Sequence, residues 1–119
     1  MLLLDTNILI DVLRGEKASL EWLDQQQRPA ISEITWIEVL VGCRVGESAE
    51  VETWLESFLR LALDHSIARE TVLLRQRHGL KVPDAIILAT ASVHGLTLAT
   101  RNVRDFPSTL ENVLHPYAL

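Results

Sequence analysis

Short, unbroken apolar runs alternate along the chain with longer stretches in which apolar residues recur every third or fourth position. The first pattern predicts strands buried on both faces, the second helices with one inward face. Met1–Leu4 opens the chain as such a strand. Asp5-Thr6-Asn7 then offers helix-capping side chains ahead of Ile8-Leu9-Ile10-Asp11-Val12-Leu13, and Gly15 ends that helix. Glu16 to about Gln27 reads as a second helix, with Leu20 and Leu23 on its apolar face and Trp22 beside them. Pro29–Ile31 is a short strand, and Ser32 caps a helix that contains Ile34, Ile37 and Val41 and ends near Gly42. Glu47–Leu59 is helical again and Leu61–Leu63 is a strand. Ser66 opens a helix that Gly79 closes. Pro83 suits the first turn of the next helix, which runs from Asp84 to Val93 and stops at His94-Gly95. Leu96–Ala99 and, more weakly, Val113–Leu114 complete the strands.

This alternation predicts an α/β fold, a short and mostly parallel central sheet flanked by helices on both faces. Sites in such sheets lie at the carboxyl ends of the strands, so Asp5 and the Thr100–Asp105 segment are expected at one edge. At 119 residues the chain is the size of one domain, spanning 1–119, and no repeat or linker divides it. Its hydrophobic share of 48% and charged share of 23% are those of a globular protein. The single cysteine, Cys43, excludes an internal disulfide and reads as a small hydrophobe at a helix end. The longest apolar run, Ala85–Ala89, is too short to span a membrane, and Met1–Leu4 lacks the features of a signal peptide. The expected location is the cytoplasm.

Charge changes the picture. The net value of −5 argues against nucleic-acid binding through a broad basic surface. The acids are unevenly spread: residues 1–64 carry 12 acids and 5 bases, the remainder 4 and 6. Most acids lie in polar helical contexts and belong on solvated faces. Four do not. Asp5 follows a buried strand, and Glu38 is the only polar residue among Trp36-Ile37-Glu38-Val39-Leu40-Val41. Asp84 precedes Ala85–Ala89, and Asp105 abuts Phe106. Helix capping explains Asp5 or Asp84 taken singly but explains Glu38 badly. A shared metal pocket accounts for all four, because an ionised carboxylate near a core is costly unless paired or bound to a cation.

An all-oxygen donor set selects a hard cation, Mg²⁺ or Mn²⁺. Such an ion suits phosphodiester hydrolysis, since it lowers the pKa of a bound water and offsets charge on phosphoryl oxygens. Thr6, Asn7, Thr100 and Asn102 can orient waters or carboxylates around it, or simply cap helices and form turns.

These residues resemble the PIN-domain nucleases. Leu-Leu-Asp5-Thr6-Asn7-Ile-Leu-Ile-Asp and Ile31-Ser32-Glu33-Ile34-Thr35-x-x-Glu38-x-x-x-Gly42 are similar to the first two blocks of that family. Pro83-Asp84-Ala85-Ile86-Ile87-Leu88-Ala89-Thr90-Ala91 and Leu98-Ala99-Thr100-Arg101-Asn102-x-x-Asp105-Phe106 are similar to the third and fourth. Within the family the match is nearest to the VapC toxins of toxin–antitoxin pairs, and it runs from residue 2 to about 106. The resemblance implies a single PIN-like domain with Mg²⁺- or Mn²⁺-dependent endoribonuclease activity, inhibited by a cognate VapB-like antitoxin and dimeric. It also implies that Asp5, Glu38, Asp84 and Asp105 are the catalytic, metal-binding carboxylates. Asp5 and Asp84 would be direct ligands, with Glu38 and Asp105 acting through water.

Other readings compete with this one. A catalytically silent module on the same fold would be marked by loss of one acid, and a housekeeping RNA-processing nuclease would lack an antitoxin. A phosphoacceptor receiver domain needs paired acids after the first strand and a lysine after a late one; Lys17 and Lys81 are misplaced for that role. His65, His78, His94 and His115 show no metal-binding spacing and read as helix-end or surface residues. Trp22, Trp36 and Trp54 read as core or dimer-interface packing rather than base-stacking platforms. Arg101 has two candidate roles: contact with an RNA phosphate beside the scissile bond, or pairing with Asp105.

Overall fold

In a computed structural model describing residues 1–119, five short strands alternate with six helices. The order is β1 (Leu2–Leu4), α1 (Thr6–Leu13), α2 (Lys17–Asp24), β2 (Ala30–Ser32), α3 (Glu33–Val41), α4 (Ser48–Leu55), β3 (Leu59–Leu61), α5 (His65–His78), α6 (Val82–His94), β4 (Thr97–Ala99) and β5 (Val113–Leu114). The strands form one sheet in the order β3-β2-β1-β4-β5, with every pairing parallel. The α/β expectation therefore holds, and the final strand is real.

Side chains alternate across each strand, and both faces find a core. Leu3, Ala30 and Leu98 share one apolar cluster with Ile67, Leu74, Ile87, Leu88 and Phe106, which α5 and α6 largely supply. Their strand neighbours Leu4, Ile31 and Ala99 share the other with Ile8, Leu9, Val39, Leu55 and Phe58. One residue further along the central strands, the side chains leave both cores and reach the sheet's carboxyl edge. Asp5, Ser32 and Thr100 occupy those positions.

Several boundaries differ from the sequence expectation. The third strand lies at Leu59–Leu61 rather than Leu61–Leu63, paired with β2 in the register Ala30↔Leu59 and Ser32↔Leu61. The helix before it stops at Leu55, because Phe58 turns into the core. Asp64, not Ser66, caps α5, its carboxylate accepting the Ile67 N–H at 2.9 Å. Ser32 caps α3 as expected, accepting from the Thr35 N–H at 3.1 Å. No helix is long and apolar enough to cross a membrane.

Candidate active site

From β1 the chain adds β2 and β3 on one side and β4 and β5 on the other, so the strand order reverses between β1 and β4. A crevice forms at such a reversal, at the carboxyl ends of the two strands. Asp5 ends β1 at this point: its N–H donates to the Ala99 carbonyl at 2.9 Å. It also caps α1, with Oδ1 accepting from the Thr6 N–H at 2.7 Å, while Oδ2 accepts from the Thr100 hydroxyl at 2.7 Å.

Glu38 arrives from α3, which starts at the same edge directly after β2. The Thr6 hydroxyl donates to Glu38 Oε1 at 2.7 Å and lies 3.0 Å from Thr35 Oγ1. Asp84 stands in the first turn of α6. That helix ends at Gly95, next to the start of β4, so its opposite end lies at the carboxyl edge. Asp5, Glu38 and Asp84 line one open cleft of about 330 Å³ together with Thr6, Asn7, Asn102, Arg14 and Arg101. Asp105 is not among the lining residues. Asn102 holds it beside them, donating from Nδ2 to Asp105 Oδ2 at 2.9 Å and accepting the Asp105 N–H at 3.1 Å. Its charge still reaches Asp84.

Electrostatics set these acids apart. Burial pushes the Asp5 carboxyl up to about 6, against the lowering effect of its hydrogen bonds from Thr100 and Thr6; Asp84 and Glu38 add to the rise. Burial also raises Asp84, assisted by Asp105 and Glu38. None of the four carboxylates forms an ion pair; the pairs lie elsewhere, at Lys17–Glu21, Arg60–Glu33 and Arg101–Asp11. An all-oxygen set lining one cleft outside any ion pair fits a hard divalent cation by the chemistry of its donors. The side chains do not draw together into a group of three that could grip one ion directly.

Asn7 ties the edge together. Its Nδ2 donates to Asp5 Oδ2 at 3.3 Å and to Thr100 Oγ1 at 3.4 Å, and its Oδ1 accepts the Arg101 N–H at 3.2 Å. Arg101 does not pair with Asp105. Its guanidinium instead donates from Nε and Nη2 to the two oxygens of Asp11, at 2.7 and 2.8 Å. Asp11 is only 1% exposed and also accepts from the Tyr117 hydroxyl at 2.8 Å.

Sequence reasoning assigned no role to Asp11, Thr35, Arg14 or Tyr117. For Asp11 the signal was present: it is a lone acid three residues after Ile8 on an apolar helix. His115 is half-buried, with its Nε2 2.7 Å from the Phe106 carbonyl oxygen. His65, His78 and His94 do stand at helix ends. The tryptophans pack within the chain: Trp22 near Tyr117, Trp54 edge-on to Phe58, and Trp36 beneath the Arg60 guanidinium at 3.9 Å.

Comparison with known proteins agrees with this geometry. A family model described as the PIN domain matches residues 2–109. Ribonuclease VapC10 of Mycobacterium tuberculosis is 35% identical over 127 aligned positions, covering 100% of this chain and 95% of the relative. Among solved structures, a toxin–antitoxin complex from Klebsiella pneumoniae contains a chain with a TM-score of 0.94 and 41% identity, with 100% of both chains covered. FitAcB from Neisseria gonorrhoeae gives a TM-score of 0.81 at 29% identity over 98% of each chain.

Proposed function

The chain belongs to the PIN-domain family, and from that premise we propose that it is a divalent-metal-dependent endoribonuclease, the toxin of a toxin–antitoxin pair held inactive by a cognate antitoxin. One observation carries the activity: Asp5, Glu38 and Asp84 line one cleft at the reversal point of the sheet with none of them in an ion pair, and Asp105 stands beside them. The similarity to a VapC ribonuclease and to the chain of a toxin–antitoxin complex supports RNA as substrate and an antitoxin as partner.

Asp5 and Asp84 are the proposed direct ligands of Mg²⁺ or Mn²⁺, with Glu38 and Asp105 acting through water. An arrangement in which no three acids converge suits that division. When bound, the cation supplies a water of lowered pKa and offsets charge growing on the phosphoryl oxygens. Thr6 engages Glu38 Oε1, which leaves Oε2 free to orient a water. Asn102 fixes Asp105 in the same way, and Thr100 and Asn7 hold Asp5. Arg101 and Arg14 supply positive charge on the cleft wall, where the chain's net charge of −5 would otherwise repel RNA. We assign Arg101 an RNA phosphate.

The test uses the purified chain, stripped with a chelator, and an end-labelled RNA. Mg²⁺ should restore cleavage at internal positions, and Asp84→Asn should lower the rate by about 10²-fold or more while remaining folded. Cleavage that persists in chelator would contradict the metal role. No cleavage by the parent under any divalent ion would favour a silent binding module instead. A housekeeping nuclease is distinguished by copurification, because it would bring down no small antitoxin.

A further inference from the structure

The proposed site accounts for Asp5, Glu38, Asp84 and Asp105 but leaves unexplained a second constellation at its rim. Asp11 is as inaccessible as a core leucine, yet it is ionised chemistry in an apolar helix. Burial by itself would raise its pKa; the hydrogen bonds from Arg101 and Tyr117, together with the Arg101 charge, outweigh it and hold the carboxyl below its ordinary value. The three groups come from α1, from the loop after β4 and from the tail beyond β5. That convergence costs chain entropy and leaves a guanidinium gripped along one edge. Nε and Nη2 are committed to Asp11 at 2.7 and 2.8 Å, whereas Nη1 makes no hydrogen bond. The Arg101 side chain remains 34% exposed and lines the cleft. Its backbone N–H reaches Asn7, and through Asn7 the constellation contacts Asp5.

We propose that Asp11 and Tyr117 are positioning residues for the reaction: they hold Arg101 by its Nε–Nη2 edge so that the Nη1 edge meets a substrate phosphate at the cleft. A long arginine free in solvent would lose rotamer entropy on each encounter; one already gripped in a planar fork loses less. Tyr117 supplies a further donor to the same Asp11 oxygen that Nε uses. The tail is thereby part of the site, which the sequence pattern gave no reason to expect. The inference rests on the endoribonuclease reading above.

The experiment is steady-state cleavage of a labelled RNA by the full chain in Mg²⁺ across a salt series. The variants are Arg101→Ala, Asp11→Asn, Tyr117→Phe and the double variant Asp11→Asn/Arg101→Ala. Arg101→Ala should raise KM about tenfold, lower kcat by less than about threefold, and reduce the salt slope by roughly one unit. Asp11→Asn should move KM in the same direction by about three- to tenfold, and Tyr117→Phe by about threefold. The double variant should be no worse than Arg101→Ala, because a residue that acts through another adds nothing once that other is gone. Tyr117→Phe keeps the ring near Trp22 and carries the test should Asp11→Asn fail to fold. The proposal is overturned if Tyr117→Phe and Asp11→Asn lower the melting temperature but leave KM and the salt slope unchanged. It is equally overturned if Asp11→Asn costs as much again in the Arg101→Ala background. A parent that cleaves normally while the variants do nothing defeats this inference alone; a parent that never cleaves in Mg²⁺ defeats the endoribonuclease reading with it.

Discussion

Asp5 and Asp11 lie six residues apart at opposite ends of one helix, both buried, and their carboxyls move in opposite directions. The difference is counter-charge: Asp11 has Arg101, and Asp5 has only neutral donors and two acidic neighbours. The consequence for stability has a definite sign. Between the ordinary carboxyl value of 3.8 and about 6, folded Asp5 holds a proton that the unfolded chain has lost, so stability falls as pH rises through that window. At pH 7 the metal-free protein bears the full cost. Asp5→Asn should therefore stabilise the metal-free chain at neutral pH by on the order of 2 kcal/mol, and the gain should vanish below about pH 4. Urea unfolding at several pH values checks this. Asp11, held low, contributes in the opposite sense: its stabilisation is present above the ordinary carboxyl range and is lost as pH falls. Glu38 was legible in the sequence because a lone acid amid five apolar residues demands an explanation. Asp11 met the same criterion, but its explanation is an arginine 90 positions away, and no local pattern reports such a partner.

Short elements leave the geometry to their ends. Helix stops were readable where glycine adopts the left-handed conformation after the last turn, as Gly79 and Gly95 do at φ 67° and 65°. The third strand was not. In Leu59-Arg60-Leu61-Ala62-Leu63 the leucines keep a period of two throughout, so the pattern fits either half, and pairing with Ala30–Ser32 selects Leu59–Leu61. Likewise Asp64 and Ser66 can both cap a helix, and only tertiary placement chooses Asp64. Ser32 joins the element scale to the site: its hydroxyl caps α3 and lies 3.2 Å from Thr35 Oγ1, which in turn neighbours the Thr6 hydroxyl that holds Glu38. Ser32→Ala should cost about 1 kcal/mol or somewhat more in urea unfolding, since the position is fully buried. It should also slow RNA cleavage at saturating Mg²⁺, which a cap far from the site would not.

Across the whole molecule, the acid-rich half of the chain furnishes α1 and α3 with Arg14, and the later half returns Asp84 and Arg101 to the same edge. If the proposed RNA cleavage holds, a net charge of −5 requires the attraction to be concentrated at this one cleft. The homodimer that the family resemblance implies belongs to this scale. The surface available to a second copy includes the half-buried tryptophans and aliphatic side chains such as Val41, Val72 and Leu73, which are 80%, 54% and 52% exposed. Sedimentation at micromolar concentration should show a dimer, and a monomer with or without antitoxin would count against it. The most direct test of the central claim joins stability to catalysis in one titration. Mg²⁺ or Mn²⁺ is added to the chelator-treated chain while the melting temperature and the RNA cleavage rate are followed in the same samples. A cation seated among these acids should stabilise the fold by about 2.7 kcal/mol at a hundredfold excess over its dissociation constant. Both signals should rise over one concentration range, and both should disappear in Asp84→Asn. A melting temperature indifferent to the cation, in samples that still cut RNA, would contradict the account.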